Sequence, residues 1–205
     1  MVMTGGKMTI KSIAETSYSG MFRVEPMEGP AFFIRKEYLV AVDFDSLVPD
    51  AEFEGEAEDE LLDAGLISAV ELKAVGYLAR AEQSRFGLTN KLINKKYDKK
   101  YIDAALTYLE GRGYLSDARF AECWLHDRKI NHFEGRSKLA SELAGRGIGR
   151  DVATAVLDQF FAENDESEIC KCAVEKFKRQ GKDGEKLTDA LLRAGFSYKM
   201  IRNCE

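Results

Sequence analysis

The 205-residue sequence is 45% hydrophobic and 32% charged with a formal net charge of −5, a mixture that fits a soluble globular chain of one or two cored units. Its longest apolar run is five residues, "YLVAV" at 38–42, against the roughly 20 a membrane helix needs; "MVMTGGKMTI" has no apolar signal-peptide core, so a cytoplasmic chain with no membrane contact is expected. The charge is uneven: residues 1–73 hold 6 Lys/Arg and 15 Asp/Glu, net −9, and residues 74–205 are net +4.

Met3 and Met8 are alternative starts, so the first seven residues read as a poorly ordered extension. All three prolines (Pro26, Pro30, Pro49) fall in the first 50 residues, which predicts an irregular or β-containing start followed by continuous helix. "MFRVEP" and "AFFIRK" around "MEG" predict a small hairpin, with a third strand at "MTIKSI". "RKEYLVAV" suits a short helix or a strand. The run "AEFEGEAEDELLDAG" (51–65) reads as a solvated linker or helix start, with a phosphate mimic as the sharper reading.

Beyond residue 67 the punctuation is helical. Ser68 and Glu71 form a capping-box pattern ahead of Leu72, Val75, Gly76 and Ala79. Asp98 suits a cap for a helix that buries Ile102, Ala105, Leu106 and Leu109 and ends at Gly111 and Gly113. In "GYLSDARFAECWL" (113–125), Tyr114 and Leu115 are expected to cover one bundle. Ser116 or Asp117 starts the next helix, and Phe120 and Trp124 fill its core. Ser167 is the expected cap of a helix carrying Ile169, Ala173 and Phe177.

A repeat organises this region. Leu92 and Tyr97, Leu143 and Ile148, and Leu191 and Phe196 each pair a leucine with a large apolar residue five positions on, at intervals of 51 and 48 residues. Each copy reads as helix, tight turn, helix, with a further helix leading to the next. The predicted fold is therefore mainly α, a tandem array of three three-helix repeats preceded by a small β-containing N-terminal region. The boundaries are 1–66 for the β-hairpin region with its acidic linker, then 67–115, 116–164 and 165–205 for the repeats.

Two histidines, no phosphate-binding loop and no nucleophile elbow point away from an enzyme and from a cofactor. Cys123 and His126 are three apart and His132 is nearby, but there is no CxxC and no second helical His/Cys pair, so no metal is expected. Cys170, Cys172 and Cys204 read with Cys123 as reduced thiols.

The stretch "YLARAEQSR…LTNKL…KKYDKKYIDAALTYLEGRGYLSDARFAECWLHDRKIN…GRSKLASELAGRGI", with "LLRAGFSYKMIR" near the end, closely resembles the RecX family of recombination regulators. The resemblance covers roughly residues 74–205 and is most specific at "GYLSDARFAE". Lys96 stands where the family's turn often has glycine. The resemblance implies a non-enzymatic modulator that binds the RecA–single-stranded DNA filament along its groove and inhibits ATPase and strand exchange. It implies the RecA filament as main partner, single-stranded and duplex DNA as weak ones, and a monomer. Basic residues of the first two repeats supply the candidate surface: Arg80, Arg85, Lys91 and Lys95, then Arg128, Lys129, Arg136, Lys138, Arg146 and Arg150, with 126–138 the leading segment. The competing readings are a helix-turn-helix-like DNA-binding regulator and a protein-interaction scaffold. No helix concentrates Arg, Asn and Gln for the first, and the repeat is too long for a 34-residue scaffold motif.

Overall fold

Alternating apolar residues in the first part of the chain build a four-stranded antiparallel sheet from β1 (Lys7–Glu15), β2 (Met21–Pro26), β3 (Phe32–Arg35) and β4 (Glu52–Glu54), in the order β3-β2-β1-β4. This is a computed structural model and it describes residues 7–204; most of the expected N-terminal extension, residues 1–6, lies outside them. The hairpin and third strand form as expected, whereas β4 inside the acidic run was not anticipated. One sheet face buries Met8, Ile10, Val24, Ile34 and Phe53 against Leu61 and Ala64. In "RKEYLVAV", Arg35 ends β3 and Lys36–Tyr38 form one 3-10 turn; the rest is neither helix nor strand.

The acidic run is no linker. Gly55, at φ +58°, turns the chain from β4 into α1 (Glu56–Leu78). Glu56, Glu58 and Asp59 fill its first turn, where the helix dipole favours carboxylates. Glu60 reaches back to accept the backbone N–H groups of Val40, Ala41 and Val42. Burial opposes its charge, but those three donors outweigh it and hold the carboxyl below its ordinary pKa. A side chain at Gly65 would stand 2.8 Å from the Phe32 ring, so glycine there lets α1 lie close on β3. Ser68 and Glu71, expected at a helix start, therefore sit mid-helix and buried. The capping-box pattern fails because better start signals lie three turns earlier.

Two compact units result. The first holds the sheet, α1, the later part of α2 (Arg85–Asn94) and α3 (Lys99–Gly111). Asp98 caps α3 through the Lys100 N–H at 2.9 Å, and Ile102, Ala105, Leu106 and Leu109 are buried as expected. The second holds residues 81–88 and everything from Leu115 on: α4 (Asp117–Asn131), α5 (Arg136–Gly145), α6 (Arg150–Glu163), α7 (Glu166–Arg179), α8 (Gly184–Arg193) and α9 (Tyr198–Cys204). Helices α4–α6 share one core around Leu125, Leu143 and Leu157, and α7–α9 another around Cys170, Leu191 and Phe196. The fold is mainly α, three three-helix repeats behind a small β-containing region.

The leucine-to-apolar repeat has a local cause. Tyr97, Ile148 and Phe196 each donate their backbone N–H to Leu92, Leu143 and Leu191 at 3.3, 3.1 and 3.2 Å, while Lys96, Gly147 and Gly195 between them adopt φ +69°, +78° and +93°. This is the Schellman helix ending, in which a left-handed residue closes a six-to-one hydrogen bond and brings the two flanking apolar side chains together. Gly113 does the same for α3, with Tyr114 N–H on the Leu109 carbonyl at 2.9 Å.

Three expectations are corrected. Tyr114 is 63% exposed and is not core, although Ile148 and Phe196 at the equivalent position of their turns are buried; the next residue, Leu115, is the buried one here. Phe120 and Trp124 are only half-buried at the edge of their core, since Ala121 and Leu125 occupy the inner face of α4. Asp165, not Ser167, caps α7, accepting the Ser167 N–H at 2.8 Å. Leu92, Leu115, Leu143, Ile148, Leu191 and Phe196 are buried and Tyr97 partly so.

Candidate interaction surface

Within the second unit, successive repeats meet through one joint used twice. The Asp117 carboxylate, at the first position of α4, accepts the Arg85 N–H at the start of α2 at 2.7 Å. Glu166, at the first position of α7, accepts the Arg136 N–H at the start of α5 at 2.8 Å. Each repeat thus caps the second helix of the one before it. Ser84, just before α2, donates to the Arg146 carbonyl at 2.9 Å, and Gly135, just before α5, donates its N–H to the Ala194 carbonyl at 2.8 Å. These carbonyls precede Gly147 and Gly195. A side chain at Gly147 would lie 2.2 Å from Phe86 Cβ, and one at Gly195 2.4 Å from the Lys138 nitrogen. Those two turns need glycine for close approach as well as for φ.

The joint explains much of "GYLSDARFAECWL" (113–125). Ser116 caps its own helix through the Arg119 N–H at 3.3 Å, which leaves Asp117 to cap α2. Arg119 then pairs with Glu82 at 2.6 Å.

The candidate cations divide into two groups. In the first, Arg128 grips Glu134 at 2.6 and 3.0 Å, Arg136 pairs with Asp158, and Lys138 and Arg146 converge on Glu142 at 3.0 and 2.7 Å. The Arg128 and Arg146 guanidinium groups lie 5.4 and 4.5 Å from the Trp124 ring centroid, a cation–π clamp on the half-buried indole. Hydrogen bonds from Lys138 and Arg146 pull the Glu142 carboxyl down to about 2, and the Glu134 carboxylate raises Arg128 above its ordinary value. These four cations brace the second repeat. Sequence reading missed Glu142, although Lys138, Glu142 and Arg146 stand at the four-residue spacing that pairs side chains on a helix.

Lys129 and Arg150 in the second unit, and Arg80 and Lys95 in the first, are exposed and show no ion pair among the described residues. Arg85 is half-buried at the joint. Lys91, in the first unit, lies 5.5 Å from the Tyr77 ring. Cys123 and His126 are exposed, and the described residues contain no cluster of three or more His, Cys, Asp or Glu able to hold a metal. No helix among them is long and apolar enough to cross a membrane.

Comparison with known proteins bears on this arrangement. A family model described as the second three-helix domain of RecX matches residues 116–157, the stretch from the α4 cap into α6. The regulatory protein RecX of Treponema pallidum (strain Nichols) is 35% identical over 134 residues, 65% of this chain and 82% of that one. The chain belongs to the RecX family. The regulatory protein RecX of Listeria welshimeri is 24% identical over 180 residues, 83% of this chain and 67% of its own. A crystal structure of regulatory protein RecX has the same fold, with a TM-score of 0.73 at 20% identity over 96% of this chain and 99% of that one. The RecX model covers one side of each repeat joint, Asp117 and Gly147 of the first and Gly135 and Arg136 of the second, while their partners Arg85, Ser84, Glu166 and Gly195 lie outside 116–157.

Proposed function

We propose that this chain regulates homologous recombination without itself being an enzyme, by binding the RecA–single-stranded DNA filament and inhibiting the recombinase ATPase and strand exchange. The observation that carries the reading is membership of the RecX family. The charge arrangement refines it. Arg128, Arg136, Lys138 and Arg146 are already paired with carboxylates of the second repeat, so a partner must compete with those carboxylates for them. Arg80, Lys95, Lys129 and Arg150 are exposed, so they meet phosphates or acidic recombinase side chains without that competition. Direct DNA binding is weak and falls with salt, and the protein acts as a monomer in the cytoplasm.

The test is single-strand-dependent ATP hydrolysis by the cognate recombinase, titrated with this protein well below one copy per recombinase subunit. Wild type inhibits at that ratio. A variant with Arg80, Lys95, Lys129 and Arg150 changed to glutamate needs at least about tenfold more protein, a loss of roughly 1.4 kcal/mol. Equal inhibition by wild type and variant removes these four from the contact surface. No inhibition by folded wild type at any ratio removes the reading.

A further inference from the structure

Four cations of the second repeat are neutralised by carboxylates, but three in the third repeat are held in a different way. In the second unit, a hollow of about 320 Å³ lies between the α4–α5 connection and the C-terminal parts of α7 and α8. Phe133 and Phe177 give it aromatic walls, and Lys176, Lys182 and Arg193 line it. Lys176 is half-buried with its ammonium 5.6 Å from the Phe133 ring centroid, and Lys182, also half-buried, lies 4.4 Å from that of Phe177. A ring face positions an ammonium group yet leaves its positive charge in place. Arg193 is exposed and uses Nε on the Asp189 carbonyl at 3.3 Å, one of the five N–H donors of a guanidinium.

None of the three makes an ion pair among the described residues. Glu134 also lines the hollow, but Arg128 already grips both its oxygens at 2.6 and 3.0 Å. Asp183 and Asp189, close to Lys182 and Arg193 in the chain, do not line it. Lysine and arginine near a helix C-terminus commonly serve its last carbonyls. Here backbone N–H groups take that role: Lys182 donates to the Phe177 carbonyl at 3.1 Å, Phe196 to Leu191 at 3.2 Å and Gly135 to Ala194 at 2.8 Å. The fold therefore leaves a concentration of positive charge in one hollow.

We infer that this hollow is a phosphate-binding site, for the phosphate groups of a nucleic-acid strand or of a free nucleoside phosphate. The unneutralised charge selects an anion. Lys176 in α7, Lys182 in the α7–α8 connection and Arg193 in α8 come from three segments of chain, which suits a tetrahedral group whose oxygens point several ways. A carboxylate offers only two oxygens in one plane. Lysine meets phosphate as a point charge and arginine as a fork. The site uses none of the four exposed cations proposed for the filament and stands whether or not that reading holds.

The probes are inorganic triphosphate and an oligothymidylate, each titrated at low salt into ¹⁵N-labelled full-length protein, with acetyl-tetraglutamate amide as control. At least one phosphate probe shifts the Phe133, Gly181 and Gly195 amides and the Arg193 Nε resonance together, saturably and below about 5 mM. The double change Lys176→Gln with Lys182→Gln weakens that binding at least about tenfold. Lys178→Gln with Lys186→Gln, which removes as much charge from exposed positions outside the hollow, leaves it unchanged. Circular dichroism confirms that both variants are folded. Triphosphate binding at least as tight as the oligonucleotide assigns the site to free nucleoside phosphates; tighter oligonucleotide binding, lost in the Lys176 and Lys182 variant, assigns it to a strand. Absence of shifts with both phosphate probes, equal binding of the glutamate peptide, or equal affinities of the two double variants would overturn the assignment.

Discussion

Lys96 is the residue where sequence and backbone disagree most plainly. It holds φ +69° in the turn where the later repeats have Gly147 and Gly195, and a left-handed conformation costs an ordinary residue about 1–2 kcal/mol. Glycine loses more entropy on folding, which offsets part of that, so Lys96→Gly raises stability by about 0.5–1 kcal/mol in urea unfolding. Glu142 makes the complementary case. Its folded-state pKa is depressed to about 2 by Lys138 and Arg146, so its contribution is fully present above the ordinary carboxylate pKa and is lost as pH falls from there towards 2. Unfolding midpoints measured between pH 6 and 2 fall less steeply in Glu142→Gln than in wild type. Trp124 looked like core from its place on an aromatic stripe. It proves half-buried under Arg128 and Arg146, so Trp124→Ala costs about 2 kcal/mol rather than the 3–5 of a fully enclosed ring. The stripe was legible because helical spacing marks a face; how deep the face sits was not, because depth is set by Ala121 and Leu125 and the helices they meet.

Helices and turns were the most readable level, for a reason visible in the three turns. A leucine, a left-handed residue and an apolar residue five positions after the leucine are one local motif, so its chemistry is contained in six adjacent residues. Caps were less readable. Asp98 was found because nothing competes with it, but Ser167 lost to Asp165 two residues earlier, and Ser68 lost to the acidic start of α1. The repeat joint was invisible because its partners are far apart in sequence: Asp117 with Arg85, Glu166 with Arg136. It makes a sharp prediction. Gly147→Ala forces a side chain against Phe86 and strains the left-handed turn, costing about 2–3 kcal/mol. Gly145→Ala, two residues earlier in a helix with open space around it, gains a few tenths to 1 kcal/mol. Glu166→Ala removes a cap and costs about 1 kcal/mol. Chemical denaturation followed by tryptophan emission reads all three, since Trp124 lies in the unit that holds the joint. Equal effects of the two glycine substitutions would mean that helix propensity, not docking, sets the cost.

At the scale of the whole chain, two units with different cores imply different weak points. The first unit is pinned by the Arg35–Glu71 pair, which joins the end of β3 to the middle of α1, with the Tyr38 hydroxyl donating to Glu71 at 2.8 Å. Nothing in the sequence announced it, because 36 residues separate the partners and Glu71 read as half of a capping box. Removing one member leaves the other charged and buried, a loss of about 3–5 kcal/mol, whereas replacing both with apolar residues of similar size is close to neutral. Glu71→Ala is therefore expected to lower the unfolding midpoint strongly by far-ultraviolet circular dichroism, and Arg35→Met with Glu71→Leu to recover most of it. Trp124, the one tryptophan of the chain, reports on the second unit alone, and its emission midpoint moves less than the circular-dichroism midpoint in Glu71→Ala. A shared midpoint in both signals would mean that the units unfold as one cooperative body, with the α2 helix common to both as the element that couples them.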